Sequence, residues 1–273
     1  MIQKKIRIAI TGTDGRMGRK LIKATIQNPD MTLGAAIVRK HSPLIGRDAG
    51  ELVGCGITGV IITDQSDLLV DHFDVLIDFT HPKGTLKYLA LCKTYRKAMI
   101  IGTTGLNKTE YEIIKNTAKD IAIVCSSNFS IGATIMLKLA EKVANVIGEH
   151  TDIDIIEKHH RYKIDAPSGT ALAIGESIAK TLNWDFNKHK IYSDEYSMAP
   201  RLAQKIRFTA IRSGDIVGEH TALFSDIGER IELSHKVSNR IAFVKGALRA
   251  ALWLQSHKAG YFNMLDVLNL HNI

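Results

Sequence analysis

Residues 157–171 read EKHHRYKIDAPSGTA, a stretch that sets two adjacent histidines, an arginine and two lysines ahead of a Pro-Ser-Gly-Thr turn. The apolar pattern that follows, Leu172, Ile174, Ile178 and Ala179, predicts a helix with Ser168 as its N-cap. Unsatisfied N–H groups at such a helix start, those of Gly169 and Thr170 included, suit an anion. Cations beside a positive helix end repel it and one another, so the arrangement is unfavourable unless a ligand brings negative charge. A small dicarboxylate meets that requirement, with one carboxylate on the Ser168-Gly169-Thr170 turn and the other near His160 or Lys163. A basic loop screened by water is the alternative. Crowding by like charge also predicts that His159 and Lys163 bind protons weakly in the empty site and strongly once a dianion is present, which suits delivery of a proton to the bound molecule.

A second constellation lies near the start of the chain. GTDGRMG places Gly12, Gly15 and Gly18 directly after the apolar run IRIAIT, at a predicted strand-to-helix turn. Glycines there let the backbone turn sharply and approach a pyrophosphate, whose charge rests on helix N–H groups. The spacing is G-x-x-G-x-x-G, and a glycine-rich turn without a ligand is the other reading. About 20 residues further on, such folds carry an acid that accepts hydrogen bonds from the adenosine ribose. Here the position reads Val38-Arg39-Lys40. Two cations attract a 2′-phosphate that an acid would repel, so NADPH is the expected nucleotide in preference to NADH; mere solvation of a strand end is the alternative. Two more predicted strand ends, GTTG at residues 102–105 and SSNFS at residues 126–130, offer small residues and backbone donors where ligands of parallel sheets bind. Phe129 is read equally as a support for a nicotinamide ring and as a core aromatic. His81, before Pro82, is read as a strand-end group or as a solvated turn histidine.

Positioning these residues requires two kinds of architecture. Over the first 130 residues, short β-branched runs alternate with longer segments of helical period: IRIAIT, TLGAAIV, VIIT, DVLIDF, AMIIG and IAIVCS are the expected strands. This alternation predicts βαβ units and a parallel sheet covered on both faces. The first helix should bury Met17, Leu21, Ala24 and Ile26 and end at Asn28-Pro29. HSPLIGRDAGELVGCGITG, residues 41–59, lacks a period and reads as a mobile loop. From Ile131 a long amphipathic helix, the strand TDIDIIEKH, a second helix near Ser168 and the strands KIRFTAIR, IVGEHTALF and ERIELSH predict a smaller α+β domain of mostly antiparallel strands, with Ser213-Gly214-Asp215 as a hairpin turn. Strand period puts Glu157 and His159 on one face and Lys158 and His160 on the other, so both histidines reach one site only if the strand stops near His159. After residue 240 the chain is helical again.

Bulk properties narrow the partners. The chain has 273 residues, 45% of them hydrophobic, enough for two domains with substantial cores. Its 36 basic residues against 28 acidic ones give a net charge of +8, spread without a basic run, and aromatics are 6%, which disfavours nucleic acid and fits an acidic metabolite. Cys55, Cys92 and Cys125 are widely spaced, with no CxxC pair and no nearby metal-spaced histidines, which fits reduced thiols with neither a disulfide frame nor a metal site. The apolar start is too short for a signal peptide and no 18-residue apolar window exists, so the protein is expected to be cytoplasmic.

The whole set of blocks resembles one family. EKHHRYKIDAPSGTA, GTDGRMG, DFTHPKGTL, IGTTGL, SSNFSIG, IRSGDIVGEHTALF and DIGERIELSHK occur in the order found in the dihydrodipicolinate (4-hydroxy-tetrahydrodipicolinate) reductases of lysine and diaminopimelate synthesis. The resemblance spans essentially the whole chain and implies an α/β fold, a Rossmann-like domain formed by residues 1–130 and 240–273, and a substrate-binding and oligomerisation domain over residues 131–239. It further implies a homotetramer that reduces 4-hydroxy-tetrahydrodipicolinate with NADPH, or with NADH as the second nicotinamide. By the same resemblance His159 is a proton donor or acceptor, Lys163 a proton donor, and His160, Gly169 and Thr170 bind the substrate carboxylates. Nucleotide contacts fall on Gly12, Thr13, Asp14, Gly15, Arg16 and Met17 of the first turn, and on Arg39. Gly102, Thr103 and Thr104 add further contacts, as do Ser126, Ser127, Asn128 and Phe129. Three positions depart from the family pattern: Val38 stands where many members carry a glutamate that helps them use NADH, His81 where arginine is frequent, and Tyr162 where histidine is frequent. Another Rossmann reductase of an acidic substrate, and a non-catalytic NADPH-binding protein, are the competing readings.

Overall fold

The computed structural model describes residues 5–192 and 201–271; part of the basic N-terminal start therefore lies outside the described residues. In chain order the strands are β1 (Ile6–Thr11), β2 (Met31–Ile37), β3 (Val75–Asp78), β4 (Ala98–Ile101), β5 (Ala122–Cys125), β6 (Asp152–His159), β7 (Lys190–Tyr192), β8 (Ile206–Arg212), β9 (Gly218–Ser225), β10 (Arg230–Val237) and β11 (Gly260–Phe262). The helices are α1 (Arg16–Gln27), α2 (Ala49–Leu52), α3 (Pro82–Thr94), α4 (Lys108–Thr117), α5 (Ile131–Ile147), α6 (Gly169–Thr181), α7 (Phe186–His189), α8 (Ile241–Leu254) and α9 (Met264–Leu268), with a 3₁₀ turn at Ser66–His72. Two compact units result, one within Met1–Phe129 and Ile241–Asn269, the other within Ser130–Arg240 and Leu270–Ile273. Among the described residues no helix is long and apolar enough to cross a membrane.

The first unit is a six-stranded sheet in the order β11-β5-β4-β3-β1-β2, every neighbouring pair parallel. Strands buried on both faces need continuous apolar runs, and VLID and AIVC are buried throughout. One face, with Leu76, Met99, Ile101 and Ile123, packs against Leu89 and Cys92 of α3 and Ile114 of α4. The alternate residues Ile8, Ile10, Ile77 and Ile100 are equally buried on the other face, where α8 lies and adjoins α1. α1 buries Gly18, Leu21, Ile22 and Thr25. The expected stripe of Met17, Leu21, Ala24 and Ile26 was therefore turned, because the close approach at Gly18 sets the helix orientation.

Two local expectations fail in the segment before β3. Val60–Thr63 makes only single bridges, Ile37 to Thr63 and Ile61 to Asp48, rather than a strand. Residues 41–59, expected as a mobile loop, are instead organised by Asp48, whose carboxylate accepts from the backbone N–H groups of Gly50, Glu51, Thr58 and Gly59 and from the Thr58 hydroxyl at 2.7–3.2 Å. Burial opposes its charge, and those N–H donors hold its pKa below the ordinary value. Asp48→Ala strands these donors and is expected to lower stability by about 2–3 kcal/mol in denaturant unfolding, while Asp48→Asn recovers part of the loss.

The second unit is a five-stranded sheet, β10-β9-β6-β8-β7. β9 pairs antiparallel with β6 and β10, whereas β8 pairs parallel with β6 and β7. The mostly antiparallel expectation is corrected: the α6 crossover returns the chain parallel to β6. Nor is Ser213-Gly214-Asp215 a hairpin, since β6 lies between β8 and β9. The turn passes over the end of β6 instead, Ser213 N–H donating to His159 O (2.9 Å) and Arg161 N–H to Gly214 O (3.2 Å). Ile153, Ile155, Phe208, Ala222 and Phe224 form the core with α5 and α6. Glu157 continues that inward face, so the end of β6 buries a carboxylate rather than an alkyl chain.

Candidate active site

Because the first sheet is parallel, β1, β2, β4 and β5 deliver all the predicted nucleotide residues to one edge. Gly12 has φ +60°, and Gly15 N–H closes the turn on Gly12 O at 2.9 Å. A Cβ at position 18 would lie 2.2 Å from Gly12 O, so glycine there is what lets α1 start against the turn. Gly15 caps α1 without a side chain, Arg16 and Met17 begin the helix, and no acid occupies its first turn. This start fits a pyrophosphate. Thr13 is turned inward, its N–H donating to Ile37 O at 3.3 Å, and Asp14 lies 3.7 Å from the guanidinium of Arg39. Thr104 and Ser127 are exposed, while the Ser126 hydroxyl donates to Asn128 O at 2.8 Å. Phe129 takes the core role: its ring is 1% exposed and packs on Phe79 at 5.4 Å.

Sequence reasoning missed what holds this edge together. Asp78, fully buried at the end of β3, accepts hydrogen bonds from four threonine hydroxyls: Thr11 (2.6 Å), Thr80 (2.8 Å), Thr85 (2.5 Å) and Thr103 (3.0 Å). The carboxylate so ties the ends of β1 and β3, the start of α3 and the GTTG turn into one piece. Its sequence signal was an acid ending an apolar strand two residues before a threonine.

A cleft of about 970 Å³ lies beyond the ends of β2 and β3, lined by Val38, Arg39, Lys40, His81, Lys83, Lys87 and Tyr88 together with Asp64 and Asp67. Val38 is buried and Arg39 projects outward, its guanidinium side chain 84% exposed. His81 caps α3, its Nδ1 accepting from Gly84 N–H at 3.2 Å. Lys83 and Lys87, one turn apart on α3, had no part in the sequence reading.

In the second unit β6 ends at His159, as the joint use of His159 and His160 requires. Buried Glu157 is the hub. Its Oε2 lies 2.6 Å from His159 Nδ1, Arg212 of β8 donates to both carboxylate oxygens at 2.7 and 2.8 Å, and Ser168 N–H donates to Oε1 at 3.1 Å. Arg212 also donates to Lys163 O and Asp165 O, pinning the loop after β6. Lys163 Nζ rests on both oxygens of Asp165 at 2.7 and 2.8 Å. The like-charge crowding expected around His159 and Lys163 has carboxylates set against it: each residue has one of its own, two residues away in the chain. His160 Nδ1 is buried with no partner among the described residues. Ser168 caps α6 through Ala171 N–H at 3.3 Å, and the space where a Cβ of Gly169 would stand is open. Thr170 follows on the first turn of α6, and Tyr162 is 81% exposed. Among the described residues no cluster of three His, Cys, Asp or Glu side chains could hold a metal ion.

Two titrations make this unit acid-sensitive. Burial, aided by the neighbouring His159, pulls the pKa of His220 from 6.5 to about 4. Burial raises that of Glu157, but the hydrogen bonds from His159 and Arg212 prevail and bring it from 4.5 to about 2. Both shifts mean that the unfolded chain binds more protons, so the stability they confer is complete above about pH 6.5 and falls as pH drops, first through His220 and then through Glu157. The His220 step amounts to roughly 3 kcal/mol. Urea midpoints against pH, read at Trp184 with Trp253→Phe as background, are expected to fall between about pH 6.5 and 4, and His220→Gln to remove that fall.

"Dihydrodipicolinate reductase, N-terminus" matches residues 6–129, and "Dihydrodipicolinate reductase, C-terminus" matches residues 132–268. The chain belongs to the dihydrodipicolinate reductase family. Among solved structures, the dipicolinate-bound dihydrodipicolinate reductase of Paenisporosarcina sp. TG-14 aligns with a TM-score of 0.75 at 26% identity, covering 97% of this reductase and 99% of the other chain. An amine dehydrogenase of Mycobacterium smegmatis (TM-score 0.60, 12% identity, 95% of each chain) and a probable dehydrogenase of Thermotoga maritima (0.62, 10%, 96% of this chain and 92% of that one) share the fold. The reductase is an NAD(P)H-dependent oxidoreductase of lysine and diaminopimelate biosynthesis, converting 4-hydroxy-tetrahydrodipicolinate to tetrahydrodipicolinate. Family membership across both units sets aside the reading as a silent nucleotide-binding protein.

Proposed function

We propose that this reductase prefers NADPH, binds the nucleotide on the first unit and its dicarboxylate substrate on the second, and moves protons through His159 and Lys163. The observation that carries the cofactor preference is the cleft at the end of β2, which has cations at Arg39 and Lys40 and adds Lys83 and Lys87 where a ribose-binding acid would stand. The Gly12–Met17 turn receives the pyrophosphate; Gly102–Thr104 and Ser126–Phe129 line the nicotinamide end, Phe129 through its backbone. When bound, the nicotinamide supplies the hydride.

On the second unit His160 and the N-terminal turn of α6 at Gly169 and Thr170 take the substrate carboxylates. Support comes from the unpartnered His160 Nδ1, the open space over Gly169, and the dipicolinate bound by the Paenisporosarcina relative. The reaction consumes one hydride and one proton and releases water. Lys163, with three N–H donors on a flexible stem, is the proton donor, and His159 donates or accepts at the ring nitrogen not committed to Glu157. The protein acts as a cytoplasmic homotetramer. Ile156, Ile211 and Leu223 form an apolar diagonal on the face of the second sheet away from α5 and α6 that subunit contact would bury, and its three cysteines are free thiols.

Mixing the chain with NADPH and the product of dihydrodipicolinate synthase is expected to consume NADPH, with kcat/KM higher than for NADH. Consumption that is indifferent to that product would refute the substrate assignment, and a ratio favouring NADH would refute the preference.

A further inference from the structure

We propose that Glu157 is the positioning residue of the proton-transfer site: it fixes the tautomer and direction of the His159 ring and locks that ring to the carboxylate-binding turn of α6. The inference rests on the reading of His159 as a proton-transfer group.

The geometry leaves Glu157 little other role. Its side chain is 1% exposed, on the inward face of β6 where Ile153 and Ile155 precede it, a place where an alkyl side chain would serve stability better. Arg212 binds both oxygens side by side and keeps the carboxylate charged. An ionised carboxylate accepts only, so the 2.6 Å contact requires the proton of His159 to be on Nδ1. That assigns the lone pair to Nε2, which lies 3.1 Å from where a Cβ on Gly218 would stand. Glycine at the start of β9 is what leaves this nitrogen room. The other oxygen of Glu157 holds Ser168 N–H, so one carboxylate sets both the ring and the start of α6, 11 residues apart. Once substrate bridges the turn and His159, their spacing is already set.

The charged and titratable groups facing this pair come from every neighbouring element. Arg212 approaches from β8. His220 of β9 packs edge-on to His159 at 5.3 Å and donates no charge while neutral. Lys163 is turned to Asp165, and His235 of β10 bonds Ser130 at 3.3 Å. Glu157 is therefore the one carboxylate among the described residues in contact with the His159 ring.

Two readouts test this. In the wild-type reductase labelled with ¹⁵N-histidine, His159 is expected to carry its neutral-state proton on Nδ1; a proton on Nε2 overturns the proposal without any variant. In Glu157→Gln the midpoint of the His159 titration is expected to move down by about one to two pH units, the matching limb of kcat/KM against pH to move with it, and kcat to fall roughly 10- to 100-fold. Glu157→Asp keeps the charge and is expected to restore the titration midpoint but not kcat, a split that loss of folding would not produce. An unmoved His159 titration in Glu157→Gln overturns the role of Glu157 and leaves His159 as the proton group. A moved titration with an unmoved kinetic limb overturns both.

Discussion

Lys163→Ala is expected to lower kcat about 10²–10³-fold, with NADPH affinity unchanged. Lys163 Nζ sits on Asp165, a carboxylate that is itself exposed. The hydrogen bond and charge of Lys163 hold the Asp165 pKa below its ordinary value, yet an ion pair whose carboxylate stands in water contributes little to stability. The lysine is thus stored next to the site rather than built into the core, and a substrate carboxylate or hydroxyl can replace Asp165 at small cost. Loss of folding does not explain the expected rate loss, because the loop backbone is held by Arg212 through the carbonyls of Lys163 and Asp165, which the substitution leaves in place. Lys163→Arg separates binding from proton delivery: a guanidinium keeps the charge but does not release a proton at neutral pH, so KM should stay near the wild-type value while kcat remains low. Steady-state kinetics with both variants checks this. A kcat near that of the wild type in Lys163→Ala removes the residue from the chemistry.

Arg39→Glu is expected to reverse the nucleotide preference, lowering kcat/KM for NADPH on the order of 100-fold and raising it for NADH. The substitution removes a charge-assisted contact to the 2′-phosphate and places an anion beside it, one residue beyond the strand end where folds that bind the unphosphorylated ribose carry an acid. Among the described residues the guanidinium of wild-type Arg39 meets a carboxylate only at Asp14, at 3.7 Å, and its side chain is 84% exposed, so it can swing onto the phosphate. Lys40, Lys83 and Lys87 remain in the cleft, so NADPH binding should weaken rather than vanish, and Lys83→Glu added to Arg39→Glu should extend the reversal. Equal losses for both nucleotides would place Arg39 outside the 2′-phosphate contact.

Much of this architecture was legible in the linear sequence. The strands β1 to β5 of the first unit could be read because each is a short apolar run between turn residues, and α5, α6 and the Ser168 cap because their signals are local; β11, the three residues Gly260–Phe262 in a stretch read as helical, was missed because only its pairing with β5 makes it a strand. What escaped depends on which neighbours the fold brings to a residue, near or far in the chain. Whether β8 neighbours β9 depends on where β6 inserts, which no turn sequence records, so Ser213-Gly214-Asp215 passed for a hairpin. Asp78 meets hydroxyls 67, 2, 7 and 25 residues away, and nothing in an isolated acid announces four threonines. At the site itself the cations of EKHHRYK drew the reading toward repulsion, while Glu157 and Asp165, in the same stretch, face His159 and Lys163. Phe129 was balanced between two roles that only burial could separate.

Whether the cations of the second unit hold a doubly negative ring can be measured directly by determining the structure of the chain with NADPH and pyridine-2,6-dicarboxylate. One carboxylate is expected on the backbone N–H groups of Gly169 and Thr170, the second beside His160, and the ring within reach of His159 and Lys163. A dicarboxylate seated elsewhere, with the start of α6 and His160 untouched, would contradict that assignment.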